Sequence, residues 1–247
     1  RGLVFNSKTG KIYSMTYPVP IEMKDLSDDD RKKIIDQIKT QPYTVEETLD
    51  GTLMRLAYID EFNDWILSTN SKFDSHDAFW MHGVSFFDQF WSARPEIITD
   101  DLNKDYVYLF LLCHPYNIIV VNHTKPTVYH VATYDRRTMK EVTPCLETKV
   151  PHPQKIDITV DEVVDSTIKS QDKPVTSAGY MIIQQSDDGM IHRYRFENEN
   201  YTKARELRGE SNNLNFFLLG HILDKDPSKL SDLLQYYPIY KEDSHSF

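Results

Sequence analysis

Glycine, cysteine, basic charge and long apolar runs are all scarce in this chain of 247 residues. Its 8 glycines are less than half of the ~7% usual in soluble proteins, so each is expected where a side chain would not fit. The 2 cysteines, Cys113 and Cys145, provide neither a disulfide framework nor a cysteine zinc site, and a reducing compartment is the expectation. No stretch approaches the ~20 consecutive apolar residues that span a bilayer. The best runs are Tyr108–Cys113 and Ile118–Val121, and no membrane partner is expected. With 28 Lys and Arg against 38 Asp and Glu, the formal net charge is -10. That excludes binding of polyanions over the whole surface, so any nucleic-acid role must rest on a local basic groove.

Common catalytic signatures are missing too. The 9 histidines are dispersed, with no H-E-x-x-H and no pair spaced to share a helical face, so a histidine metalloenzyme is not expected. Glycine-rich nucleotide loops and the G-x-S-x-G elbow are absent. Two glycosylation triplets, Asn122-His123-Thr124 and Asn200-Tyr201-Thr202, are about what chance provides, and the chain is read as not secreted. It opens Arg1-Gly2-Leu3 rather than with Met and a leader, so a fragment is expected.

What is present is enough to close a core: 40% hydrophobic and 12% aromatic residues, in one large domain or one domain with an appendage. Alternating runs at Arg1–Asn6 and Lys11–Met15 flank turn chemistry and predict a hairpin. Ser27, with Ile34, Ile35 and Ile38 following, predicts a capped amphipathic helix. Thr44–Leu49, Thr52–Ile59 and Trp65–Thr69 read as three strands of antiparallel sheet, with tight links at Asp50-Gly51 and Glu61–Asp64. Helical spacing of aromatics predicts a helix over Ser75–Trp91. Tyr106–Leu112, Asn117–His123 and Thr127–Tyr134 read as strands, Thr159–Ile168 as a helix, and Gly179–Gln185 with Ile191–Phe196 as a hairpin. The period then becomes helical over Tyr201–Arg208, Leu214–Leu223 and Ser228–Tyr236, broken by Gly209 and Pro227. Sheets with inserted helices and a helical tail predict α+β.

Five short segments fall in a recognisable order: Arg1-Gly2-Leu3-Val4-Phe5, Leu49-Asp50-Gly51-Thr52-Leu53, Phe110-Leu111-Leu112-Cys113-His114-Pro115-Tyr116-Asn117, Gly179-Tyr180-Met181 and Arg193-Tyr194-Arg195. Together they resemble the phage T4 RNA ligase 1 type of covalent nucleotidyltransferase. The resemblance implies an ATP-grasp-like fold of twisted antiparallel sheets with flanking helices around a nucleotide pocket. It places a ligase-like domain at residues 1–210 and a helical C-terminal appendage at 211–247. The reaction it implies joins RNA ends through a lysine–AMP phosphoramidate with magnesium.

The departures from that pattern are chemical. Lys-x-Asp-Gly becomes Thr48-Leu49-Asp50-Gly51, so a hydroxyl stands where the attacking amine should be. The two glutamate positions fall on Leu111 and Ala178, which removes likely oxygen ligands of magnesium. Arg1, Asp50, Gly51, Arg193 and Arg195 remain as nucleotide or phosphate contacts by resemblance. On the residues alone, Asp50-Gly51 could be a plain turn, and Arg193 and Arg195 could pair with Glu197 and Glu199 on a solvated face. The resulting expectation is a catalytically inactive structural or interaction module, a viral component in the cytoplasm or virion with protein partners or self-assembly. It requires no cofactor, with vestigial ATP and magnesium binding left open. The alternatives are noncovalent binding of a nucleotide or RNA 5′ end, and an active ligase with a nonstandard nucleophile.

Overall fold

The computed structural model describes residues 2–80, 83–142, 149–170, 172–209, 220, 223 and 227–241. Two five-stranded sheets face each other. In the first, β4 (Tyr43–Glu47) lies between the edge strand β10 (Lys155–Ile156) and the hairpin of β11 (Gly179–Gln185), which is central, and β12 (Ile191–Glu197). The far edge of this sheet is β3 (Ile21–Glu22), which alone pairs in parallel. The second sheet runs β6 (Asp64–Thr69), β5 (Thr52–Ile59), β7 (Tyr106–Cys113), β8 (Thr127–Asp135) and β9 (Lys140–Glu141), antiparallel throughout. A small hairpin of β1 (Val4–Phe5) and β2 (Ile12–Ser14) completes the strands, where sequence alternation placed it.

Period-2 alternation decides what each sheet buries. On the first, Val45, Ile182, Tyr194 and Phe196 face a layer of two helices, α1 (Asp28–Ile38) and α3 (Val160–Lys169), and close a core with Ile38, Val160 and Val163. Both helices start where cap chemistry dictates. Ser27 accepts from the Asp30 N–H, and Thr159 forms a reciprocal capping box with Glu162. On the second sheet, Met54, Leu56, Tyr108, Phe110, Leu112 and Val128 pack under α2 (Phe86–Ser92). The helix α4 (Glu199–Arg208) ends at Gly209, whose φ of 64° suits only glycine without strain. The last helix, α5 (Pro227–Tyr236), packs on α4 through Leu233, Tyr236 and Tyr237 against Tyr201 and Ala204.

The architecture is therefore α+β with two facing sheets, as expected, but three local readings are corrected. Residues 44–49 and 52–59 are not neighbours in one sheet: β4 and β5 belong to different sheets, and 48–51 is the crossing between them. Residues 75–91 are not one helix. A single 3-10 turn at Ser75–Asp77 is followed by extended chain, and α2 begins only after Ser85, whose hydroxyl accepts from the Asp88 N–H. A local cap and Gly83 at φ 66° override the aromatic periodicity there. Residues 117–123 form no strand, and β7 pairs directly with β8. Pro227 is the first residue of α5, one position before the expected start, where its missing N–H costs nothing. The candidate helix at 214–223 lies almost entirely outside the described residues. Among the described residues no helix is long and apolar enough to cross a membrane.

Candidate functional site

The two sheets enclose a cleft of about 460 Å³. The face of the first sheet turned away from its helices supplies Glu46, Met181, Ile183, Arg193 and Arg195; the second contributes Leu53, Leu111 and Val131. Val131 is the extra residue of a bulge opposite Leu109 and Phe110, which bends β8 locally. The crossing segment Thr48-Leu49-Asp50-Gly51 forms the back wall. Gly51 is required there, because a methyl group would overlap the Leu112 carbonyl oxygen.

Thr48 is 6% exposed, its N–H donates to the Gly179 carbonyl at 2.9 Å, and its hydroxyl has no hydrogen-bond partner among the described residues. No base among the described residues therefore touches the atom that the resemblance assigns to the nucleophile position. Asp50 is saturated. Oδ2 accepts from the Val120 and Val121 N–H groups at 2.8 and 2.7 Å, and Oδ1 accepts from the Tyr201 hydroxyl at 2.8 Å. Burial, together with the Asp50 charge, raises the Tyr201 phenol's pKa and keeps it a donor. The segment read as a strand, 117–123, is thus irregular because its backbone donors turn to a carboxylate. Asn117 anchors the same loop by donating to the Thr52 hydroxyl at 2.8 Å, a turn role consistent with Pro115 beside it.

Arg193 and Arg195 do point to one face, with Tyr194 in the opposite core, but neither guanidinium is open. Arg193 spans the cleft to the other sheet, donating to both Glu141 oxygens at 2.9 and 2.7 Å while lying over the Tyr17 ring at 4.6 Å. Burial opposes its charge, yet the Glu141 hydrogen bonds and charge outweigh this and its pKa is raised. Arg195 lies 3.1 Å from Glu197 and 3.6 Å from Glu22. The Glu197 side chain is fully buried and also meets Lys24 at 2.6 Å and Arg205 at 3.4 Å. Burial alone would raise its pKa, but these cations lower it and hold it ionised. The expected Glu199 pairing goes to Lys203 instead, at 3.6 Å. Burial raises the pKa of Glu22 and of Glu46, with Arg195 and Lys155 respectively opposing.

Leu111 lines the cleft, as its assignment requires. Ala178 does not; it is 1% exposed in an apolar cluster with Val120 and Tyr201, beside a separate cavity of about 110 Å³ behind Thr48. Arg1 lies outside the described residues. The alternation of Glu197 with Arg195 made that pairing legible in the sequence, whereas sequence reasoning missed Glu141 and Tyr201, and nothing near Asp50 in the chain points to Tyr201. Among the described residues no three His, Cys, Asp or Glu side chains converge to hold a metal ion. Leu111 offers no oxygen to a metal ion, and the carboxylates on the cleft lining are those of Glu22, Glu46, Glu47 and Asp50.

Comparison with known proteins bears on this arrangement directly. The RNA ligase of Naegleria gruberi with pyrophosphate superposes with a TM-score of 0.52 at 14% identity, covering 83% of this chain and 60% of that one. A variant of the same ligase with ATP and manganese gives 0.55 at 14% identity, covering 83% and 59%. The fold is that of the RNA ligase nucleotidyltransferases. In sequence, the chain is 26% identical over 191 residues to the immediate-early protein ICP-46 of Frog virus 3 (isolate Goorha), covering 67% of this chain and 47% of that protein. No family model matches. The chain thus spans about half of the viral relative and three fifths of the ligases. In this ligase fold the cleft between the sheets is retained, while the groups lining it are engaged with one another.

Proposed function

We propose that the chain is a ligase-fold protein that forms no covalent nucleotidyl adduct and serves as a structural or interaction module. One observation carries the reading: no lysine is among the described residues that line the cleft, and Thr48 is the residue that the resemblance assigns to the attacking amine's place. A lysine becomes nucleophilic when its neutral form is favoured, and its phosphoramidate remains labile enough to pass AMP onward. An alcohol needs a base in hydrogen-bond contact, and the Thr48 hydroxyl has none among the described residues. The similarity to a viral immediate-early protein supports a viral origin; protein partners or self-assembly, in the cytoplasm or virion, are part of the proposal. Residues 1–210 are the ligase-like unit and 211–247 its appendage, which α5 docks onto α4 through apolar contacts. Incubation with α-labelled ATP or GTP and magnesium or manganese, followed by denaturing electrophoresis, is expected to leave the protein unlabelled. Label retained at any pH would overturn the reading and favour an unconventional nucleophile.

A second reading is noncovalent binding of a nucleotide or RNA 5′ end. The observation favouring it is the cleft itself, whose volume lies within the roughly 300–1,000 Å³ of small-molecule sites and whose walls are largely apolar. Ligases of this fold have been solved with ATP, AMP and pyrophosphate. The cation with most freedom to meet a phosphate is Arg205, whose side chain is 47% exposed at the rim. Calorimetric titration with ATP, repeated on an Arg195→Ala/Arg205→Ala variant, tests it; no heat of binding to the wild type sinks it.

A further inference from the structure

Behind the crossing segment lies the cavity of about 110 Å³ that neither reading of the cleft uses. Thr48, Leu49 and Asp50, with Glu47 at the end of β4, line this cavity as well as the cleft, so the segment 47–50 is the wall between the two spaces. The other side is built from Cys113 at the end of β7, Tyr129 on β8, His123 in the loop between them, and residues 176–178 ahead of β11. The volume falls below the roughly 300–1,000 Å³ of small-molecule sites. It suits one slender chain rather than a ring system.

Several polar groups around the cavity are already engaged. Facing a carbonyl, His123 Nε2 donates to Asp50 O at 2.5 Å, and the Cys113 thiol donates to the same oxygen at 3.6 Å. The Ser177 hydroxyl accepts from the Gly179 N–H at 3.2 Å, and the Thr176 hydroxyl donates to Asp172 at 3.3 Å. Burial raises the Cys113 pKa to about 12, and the charges of Asp50 and Glu47 add to this, so the thiol stays neutral. Three acceptors remain: the buried Thr48 hydroxyl, the Glu47 carboxylate and the Tyr129 hydroxyl make no hydrogen bond to the described residues. No lysine or arginine is among the described residues that line the cavity. An unpaired carboxylate and two hydroxyls beside an aromatic ring suit a cation that carries N–H donors. A primary ammonium has three such donors and no acceptor. An anion would meet the charges of Glu47 and Asp50. A metal ion would need three converging His, Cys, Asp or Glu side chains, and the described residues hold no such group.

We propose that this cavity binds a primary ammonium at the end of an unbranched alkyl chain, the chemistry shared by a lysine side chain and a free alkylamine. Such binding is independent of whether the cleft takes a nucleotide. The test titrates n-butylammonium chloride into the isotope-labelled full chain at fixed ionic strength and follows the amide resonances of Thr48, Cys113 and Ser177. Saturable shifts with a dissociation constant on the order of 1 mM are expected. Glu47→Gln should weaken binding roughly tenfold or more, because it removes the charge that the ammonium meets. Thr48→Val keeps the shape, removes only the unpartnered hydroxyl, and should weaken binding roughly threefold or more. Two controls should give no saturable shift: n-butyltrimethylammonium, which is charged but has no N–H, and n-butanol, which has the chain without the charge. Nα-acetyl-lysine methylamide separates the sources. If it shifts the same resonances, a lysine side chain fits the cavity; if only n-butylammonium does, the occupant is a free amine. The absence of saturable shifts with n-butylammonium overturns the proposal, as does equal binding of n-butanol or wild-type affinity in either variant that folds.

Discussion

Replacing Asp50 separates a structural carboxylate from a ligand-binding one. The side chain is 4% exposed and receives three hydrogen bonds, from two backbone N–H groups and one phenol. Hydrogen bonds to a charged group contribute about 1.5–3 kcal/mol each net, and a buried donor left without a partner costs about 1–3 kcal/mol. Asp50→Ala strands three donors at once. Such bonds are not additive and water can enter the space, so the expected loss is about 3–5 kcal/mol. Asp50→Asn should cost less, about 1–2 kcal/mol. Its oxygen can serve the Val120 and Val121 N–H groups, while its NH₂ donates to a Tyr201 hydroxyl that rotates to accept. Urea unfolding followed by tryptophan fluorescence measures both, with the midpoint shifting and the slope unchanged. A double-mutant cycle with Tyr201→Phe should return a coupling on the order of 1 kcal/mol. If Asp50→Ala unfolds within about 1 kcal/mol of the wild type, the carboxylate is not the clamp described, and a role in holding a ligand regains its place.

Two further outcomes follow from groups whose roles the tertiary structure reassigned. Arg193→Ala breaks the link between the sheets and leaves Glu141 buried without its partner, so a loss of about 3–5 kcal/mol in urea unfolding is expected. Arg193→Lys should recover only part of this, because an ammonium cannot reproduce the bidentate pair over Tyr17; a wild-type unfolding curve for Arg193→Ala would refute the assignment. His130, fully buried beneath Phe110 and beside His152, has its pKa pushed down to about 4, first by burial and then by His152. The unfolded chain binds a proton near pH 6.5 that the folded state refuses. Stability should therefore be complete above that pH and fall by up to about 3 kcal/mol as pH drops toward 4, and His130→Gln should flatten this part of the profile.

Much of the scaffold was legible because its causes are local. Ser27 and Thr159 satisfy N–H groups three residues away, so α1 and α3 begin where the sequence places them. The β11–β12 hairpin likewise needs only alternation and the turn at 186–189. The helix read over 75–91 failed for a comparably local reason: aromatic spacing was counted, while Gly83 and the Ser85 cap were not. Which side chains face the cleft was partly legible in the sequence, and their engagements with one another were not. Thr48 and Leu111 do stand on the cleft, and Arg193 and Arg195 do share a face. Ala178 proved to be a core residue beneath Tyr201 rather than part of the cleft wall.

By itself, the sequence determined that the segment 48–51 carries no amine side chain, since no tertiary arrangement turns a threonine into a lysine. It also determined the period of each strand and the starts of the capped helices, which depend on neighbours within a turn or two. Only the tertiary structure decided that β4 and β5 part into facing sheets, making Asp50-Gly51 a crossing rather than a hairpin turn. It alone decided that Asp50 is met by donors 70 and 151 positions further along the chain, and that Arg193 is met by a carboxylate 52 positions before it. Periodicity and capping carry no information over such separations. Which charge finds which partner is settled by how the sheets stack and by the high cost of leaving either one buried alone.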